Sequence, residues 1–206
     1  MTKGLVQKHR KKILFTASKV FAEQGYYNAR ISDIAGELGI GHGTIYRYFR
    51  NKQHIFNQLL DFLISGISEI VESEDYGTSK TIDDYYRQIE RIGWRIFQFF
   101  AENRELANII FYFEAISISK KDKHTNKKIE EFSSLLERYN ANYLENGIKK
   151  GFLRKDLSIK EAALAINAMI FEAVRRIFLT KEKEWKKSAH VWIKTIQDLM
   201  TKGMAA

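Results

Sequence analysis

The chain has 206 residues, 45% of them hydrophobic, carries a net charge of +9, and contains neither cysteine nor proline. Its length suits one or two modest domains with a buried core, and the lack of cysteine excludes disulfides, thiol catalysis and cysteine-ligated zinc. No run reaches the roughly 18 uninterrupted apolar residues of a membrane span, and the basic start MTKGLVQKHRKKILF has no signal-peptide core, so the expectation is a cytoplasmic protein without a membrane partner.

Apolar residues recur at helical spacing and nowhere alternate, which predicts an all-α fold punctuated by glycine. The first helix is expected over 5–24, with Ile13, Leu14, Ala17, Val20 and Phe21 on one face and Gly25 as its stop. Short helices follow over 32–38 and 42–48, and a longer fourth helix over 52–72. The stretch SEDYGTSKT (73–81) reads as a loop. Beyond it, helices are expected over 82–102, 104–118, 125–150, 158–180 and 184–202.

Charge is unevenly spread along these elements. Residues 1–54 hold ten Lys/Arg against three acids, a net of +7, and the remaining 152 residues contribute only +2. This asymmetry suggests a polyanion-binding domain joined to an electrically balanced one, with a solvated basic surface as the other reading.

The segment GELGIGHGTIYRYFRNK (36–52) alternates Gly39, Gly41 and Gly43, as a phosphate loop does. A dinucleotide fingerprint needs a strand before its first glycine. Here the preceding ISDIAGEL is helix-spaced, and no Gly-Lys-Ser/Thr ending follows. Gly39 fits the left-handed position that ends a helix, and Gly41 and Gly43 then open the next one. Two short helices joined by a glycine turn within a basic segment predict a helix-turn-helix. On a helical wheel Ile45 and Phe49 share the face to be buried, together with Ile40. Thr44, Arg47 and Tyr48 fall opposite, flanked by His42 and Tyr46.

Residues 17–56, ASKVFAEQGYYNARISDIAGELGIGHGTIYRYFRNKQHIF, resemble the DNA-binding domain of the TetR family of transcriptional regulators. The resemblance is carried by Phe21, Gly25-Tyr26, Asp33-Ile34-Ala35, Leu38-Gly39, Gly43-Thr44-Ile45-Tyr46, Phe49 and Lys52. The family often has Ser or Thr where this chain has Ala29 and Arg30, which leaves Asn28 or Ser32 to cap the second helix. The resemblance implies DNA contacts at matching positions. His42 and Arg47 would read base edges, since Arg pairs with guanine O6/N7. Gly43 would let the backbone approach the duplex. Thr44, Tyr46 and Tyr48 would bond phosphates, Lys52 would add charge at the start of the fourth helix, and Ser32 would be a further contact.

Three consecutive helices carry Trp94, Phe97, Phe99, Phe100, Phe111, Tyr112, Phe113, Phe132, Tyr139 and Tyr143. Ordinary core is the default for such stripes, and the resemblance implies a small-molecule cavity among them. The candidate ligand-binding residues are Trp94, Phe97, Phe111, Tyr139, Tyr143, Phe171, Arg175 and Arg176. The two arginines either reach solvent or pair with acids such as Glu172, or one faces the cavity mouth and grips an anionic head group. The C-terminal half loosely resembles fatty-acid-responsive members of the family, which makes a fatty acyl-CoA the candidate effector.

The helix IKEAALAINAMIFEAVRRIFLT is apolar nearly all round from Ala162 to Val174, and in the last helix Trp185, Ala189, Trp192, Ile196 and Leu199 follow a 4-3-4-3 seam. Both could be internal core. The resemblance instead implies a homodimer interface built from Ala165, Ala168, Trp185, Ala189, Trp192, Ile196 and Leu199.

No Gly-x-Ser-x-Gly, His-Glu-x-x-His or P-loop is present, and the histidines at 9, 42, 54, 124 and 190 suggest no metal motif. The expectation is therefore a non-enzymatic protein without cofactor or metal. Its DNA-binding domain would span 1–53, and its ligand-binding and dimerisation domain 54–206. It would act as a homodimeric regulator of a palindromic operator, a repressor released by a small hydrophobic effector. The alternative is an architectural or activator DNA-binding protein with no effector.

Overall fold

Where each helix starts and stops follows from local chemistry. In the computed structural model, which describes residues 3–107, 123–179 and 184–204, α1 spans Lys3–Gln24, α2 Ile31–Leu38, α3 His42–Tyr46 and α4 Lys52–Glu72. Gly39 ends α2 at φ +64°, the left-handed conformation only glycine adopts cheaply, and so turns the chain into α3. The start of α2 is not capped by Asn28 or Ser32. Asp33 instead reaches back and accepts from the Arg30 backbone N–H at 2.7 Å, while the Asn28 amide bonds the Gln24 carbonyl at the end of α1. Asn51 caps α4 by accepting from the His54 N–H at 2.8 Å.

A single 3-10 turn, Tyr76–Thr78, lies in the expected loop. Then come α5 (Ile82–Glu102), α6 (Lys123–Lys149), α7 (Ile159–Leu179) and α8 (Trp185–Met204). Thr81 and Asp84 open α5 with reciprocal side-chain to backbone bonds of 3.1 and 3.2 Å. The described residues form an all-helical chain. The helix expected over 104–118 falls largely outside the described residues, as does Phe111.

Three clusters of buried apolar side chains are stacked along the molecule. The first joins Ile13, Ala17, Val20 and Phe21 of α1 to Ile34 of α2, Ile45 of α3, Phe49, and Ile55, Phe56, Leu59 and Leu60 of α4. The second begins one turn further along α4, at Leu63 and Ile67, and takes in Phe97 and Phe100 of α5, Phe132 of α6, Val174 and Phe178 of α7, and Ile193 of α8. The third gathers Tyr85, Tyr143, Leu144, Ala162, Ile166 and Met200. Tyr85 and Tyr143 pin α5 to α6 there. Each hydroxyl donates to the other residue's carbonyl, at 2.9 and 2.8 Å, and the rings stack 4.1 Å apart. Gly147 makes room for this pair, because a Cβ at that position would lie 2.4 Å from the Tyr85 hydroxyl.

Candidate functional site

Ile45 is fully buried and Phe49 is 1% exposed, so the inner face of α3 is fixed into the first core. That anchoring turns His42, Tyr46 and Arg47 outward, with Tyr46 56% exposed. Thr44 is half-buried beside them. A Cβ at Gly43 would meet open space, so nothing inside the protein requires glycine there. Ser32, His42 and Tyr46 come together around one surface depression with Arg30 and Lys52. Arg30 was not among the expected contacts. Its signal was present, as a cation immediately before a helix start inside the basic segment.

Two expected contacts are partly committed elsewhere. Tyr48 is half-buried, and its ring stacks on His9 of α1 with centroids 6.4 Å apart. Lys52, expected to add charge for DNA, is committed further. Its ammonium donates to the carbonyls of Tyr26, Tyr27 and Ala29 at 2.6, 3.0 and 2.8 Å, and sits 4.7 Å from the centre of the Tyr26 ring. All three of its protons thus have acceptors within the chain. Burial holds its pKa below the usual lysine value, with Asp33 opposing. Lys52 is a clamp across the turn between α1 and α2.

The second feature is a narrow cavity of about 100 Å³ bounded by α4, α5, α6, α7 and α8. Of the expected ligand residues, Phe97, Tyr139, Tyr143 and Phe171 line it. Trp94 does not; its ring lies 6.2 Å from that of His190 on α8. Arg175 and Arg176 do not line it either. Both are exposed and grip Glu172, and the hydrogen bonds from Arg175 and then Arg176 hold that carboxyl down to about 2. Of the two readings for these arginines, the ion pair with Glu172 is the one observed.

Sequence reasoning missed Tyr76, Asn140 and Asn167, all of which line the cavity. Asn140 of α6 donates to the Asn167 carbonyl of α7 at 2.6 Å. Tyr139 donates to Glu72 at the end of α4, and its hydroxyl is pushed up to about 12, chiefly by burial.

A polar line links α6, the helix that supplies one side of the cavity, to the first core. Lys128 of α6 pairs with Asp61 of α4, and Asp61 accepts from Gln58 at 3.0 Å. Gln58 in turn accepts from Arg10 of α1 at 2.5 Å, and Arg10 stands 5.4 Å from the centre of the Phe49 ring.

The seam expected at the C-terminus divides between two faces. Ala189 and Ile196 are buried in the chain's own core, and Trp185 packs on Phe178 with ring centroids 6.2 Å apart. They turn inward and leave a different outer stripe. That stripe combines exposed Leu164 (41%), Ala165 and Ala168 of α7 with Val191 (57%), half-buried Trp192 and Leu199 (55%) of α8.

A short recognition-length helix, seated by its apolar face with an exposed polar face opposite and a glycine turn before it, defines a helix-turn-helix DNA-binding protein. Residues 13–59 match the family model described as bacterial regulatory proteins, tetR family. Over those residues the chain is similar to the DNA-binding domain of the TetR family of transcriptional regulators. It is 26% identical over 171 residues to the fatty acid metabolism regulator protein of Bacillus subtilis (strain 168), covering 83% of this chain and 84% of that protein. Two solved structures share the fold. The fatty acid degradation regulator FadR from Bacillus halodurans superposes with a TM-score of 0.74 at 21% identity, covering 98% of each chain. FadR from Bacillus subtilis in complex with stearoyl-CoA superposes with a TM-score of 0.70 at 24% identity, covering 94% of this chain and 98% of that one.

Proposed function

We propose that this chain is a homodimeric repressor whose two DNA-binding domains occupy a palindromic operator and leave it when a hydrophobic effector enters the helical cavity. The observation that carries the reading is the division of one molecule into an outward polar helix on a basic domain and a mostly apolar cavity, joined by one continuous helix, α4. His42 and Arg47 would read base edges, while Thr44, Tyr46 and Ser32 hold phosphates with Arg30. The outer stripe of α7 and α8 would pair with its copy in a partner, placing half-sites about one helical turn apart.

A long-chain acyl-CoA is the effector we favour, because a neighbour of the same fold is described with stearoyl-CoA. The cavity is smaller than the roughly 300–1,000 Å³ of ordinary ligand sites. An acyl chain must therefore part α6 from α4 and α5 to enter. That displacement would pull on Lys128–Asp61–Gln58–Arg10 and tilt α1 and α3 together. Only an effector that prefers the opened form shifts the equilibrium. The phosphates of the coenzyme would remain outside the apolar wall.

The test is selection of operator DNA from fragmented host genome, followed by titration of the complex with palmitoyl-CoA at 150 mM salt. We expect one palindromic site bound at least about a thousandfold more tightly than random DNA, and release by palmitoyl-CoA. Equal affinity for all fragments would favour the architectural alternative, and a specific complex untouched by palmitoyl-CoA would remove this effector.

A further inference from the structure

The cavity is not uniformly greasy, and its polar exceptions differ in how fully they are used. Among its described lining residues there is no Asp, Glu, Lys, Arg or His. The hydroxyls of Tyr76, Tyr139 and Tyr143 each donate within the protein, to the Val71 carbonyl, Glu72 and the Tyr85 carbonyl. Asn140 and Asn167 bond only to each other. That single bond spends one N–H of Asn140 and the carbonyl of Asn167. It leaves the Asn140 carbonyl and the remaining amide N–H groups without a protein partner. Both residues are half-buried in a mostly apolar wall, where a ligand group that meets these amides gains a hydrogen bond.

We propose that the Asn140–Asn167 pair is the polar anchor of the cavity, selecting effectors that carry an uncharged hydrogen-bonding group on an apolar body and rejecting a free carboxylate. A hydroxyl, ketone, ester or thioester carbonyl meets the spare amide groups and brings no net charge. An ionised carboxylate would leave water for a mostly apolar cavity with no cation among the described lining residues, which costs more than two amide N–H bonds return. Within the acyl-CoA reading this places the thioester, and not a free acid, against the asparagines. The inference rests on the cavity being the effector site. The two residues also join α6 to α7, and a pin between helices is the role from which anchoring must be separated.

The test uses the full chain with three probes of equal length, 1-decanol, decanoate at pH 8 and 1-chlorodecane, read by thermal shift and calorimetry. Decanol is expected to bind at least about tenfold more tightly than decanoate, the charged form being excluded. In Asn167→Leu and Asn140→Leu, decanol affinity should fall about three- to tenfold, the worth of one net hydrogen bond, while chlorodecane affinity is unchanged or improved. A mere pin would lower the melting temperature of the free variants and leave the decanol-to-chlorodecane ratio at its wild-type value, which overturns the proposal. Equal binding of decanoate and decanol, or no binding of any probe, overturns it too. DNA affinity of the same preparations is measured alongside. Specific DNA binding without probe binding would leave the regulator standing and the anchor refuted. Selective decanol binding without DNA release would do the reverse.

Discussion

Replacing Lys52 by methionine keeps the aliphatic stem and deletes the ammonium that ties the turn between α1 and α2 to the start of α4. Three carbonyls lose a charged donor at 2.6–3.0 Å. A hydrogen bond to a charged group is worth about 1.5–3 kcal/mol net. One cation shared by three acceptors does not deliver three times that. The Tyr27 carbonyl is exposed and regains water, whereas those of Tyr26 and Ala29 are partly buried. Loss of the contact with the Tyr26 ring adds about 0.5–1 kcal/mol, and relief of the lysine's own desolvation offsets part of the sum. The net expectation is a loss of about 2–4 kcal/mol, a large share of the 5–15 kcal/mol that holds a typical domain together. Urea denaturation followed by circular dichroism measures it. Below the transition, folded Lys52→Met protein should bind random DNA with an unchanged salt slope. If stability stays within about 0.5 kcal/mol of wild type and the slope of log affinity against log salt falls by about one, Lys52 contacts a phosphate and the clamp is refuted.

Arg47→Ala should cut the ratio of specific to random DNA affinity by about 1–3 kcal/mol in filter binding, and an unchanged ratio would make Arg47 a backbone contact. Leu199→Arg and Ala168→Glu, on the outer stripe, should yield folded monomers in analytical ultracentrifugation with weakened operator binding; a dimer of normal affinity would place the interface elsewhere. Protonation of His54 should destabilise the N-terminal core. Its Nδ1 accepts from the Arg50 N–H at 3.2 Å, and burial, then Arg10 and Arg50, hold its pKa below 6.5. The unfolded chain therefore takes up the proton first. Stability is full above pH 6.5, declines as pH falls through it, and levels off below the depressed value. Against this, His54→Gln should give a flatter stability profile from pH 7.5 to 5 by urea titration.

Helix boundaries were legible because glycine, Asn51 and Thr81 mark them in the sequence, and α4 and α5 span the expected 52–72 and 82–102. Which side of a helix faces inward was legible where one neighbour decides it, as for Ile45 in α3 and Phe49 just beyond it. It was not legible in α8, where Ala189 and Ile196 face the chain's own core while Leu199, three residues on from Ile196, faces out. A seam of apolar residues wide enough for both faces does not say which half has an internal partner. Truncating α8 would consequently strip the core of Ile193, Ile196 and Met200, and not simply part a dimer. The intramolecular bonds of Lys52 were hidden for a related reason. A cation in a basic segment advertises its charge, but carbonyls 23–26 residues earlier that absorb it leave no trace in the local pattern. Asn167 was a lone polar residue within AALAINAMIF, a signal that periodicity alone passes over.

The first and second cores meet on α4, where Leu59 and Leu60 face one and Leu63 and Ile67 the other, with Ile64 and Phe99 packed against both. A head comprising residues 1–53 alone would lack Ile55, Phe56, Leu59, Leu60 and Leu106, about a third of the residues buried around it. Chimeras that exchange DNA specificity between related regulators need a crossover beyond Leu60, and must also match whatever residue stands at 106. Grafting at the apparent edge of the helix-turn-helix would join two halves of different cores. The inherited unit of exchange is larger than the unit that touches DNA.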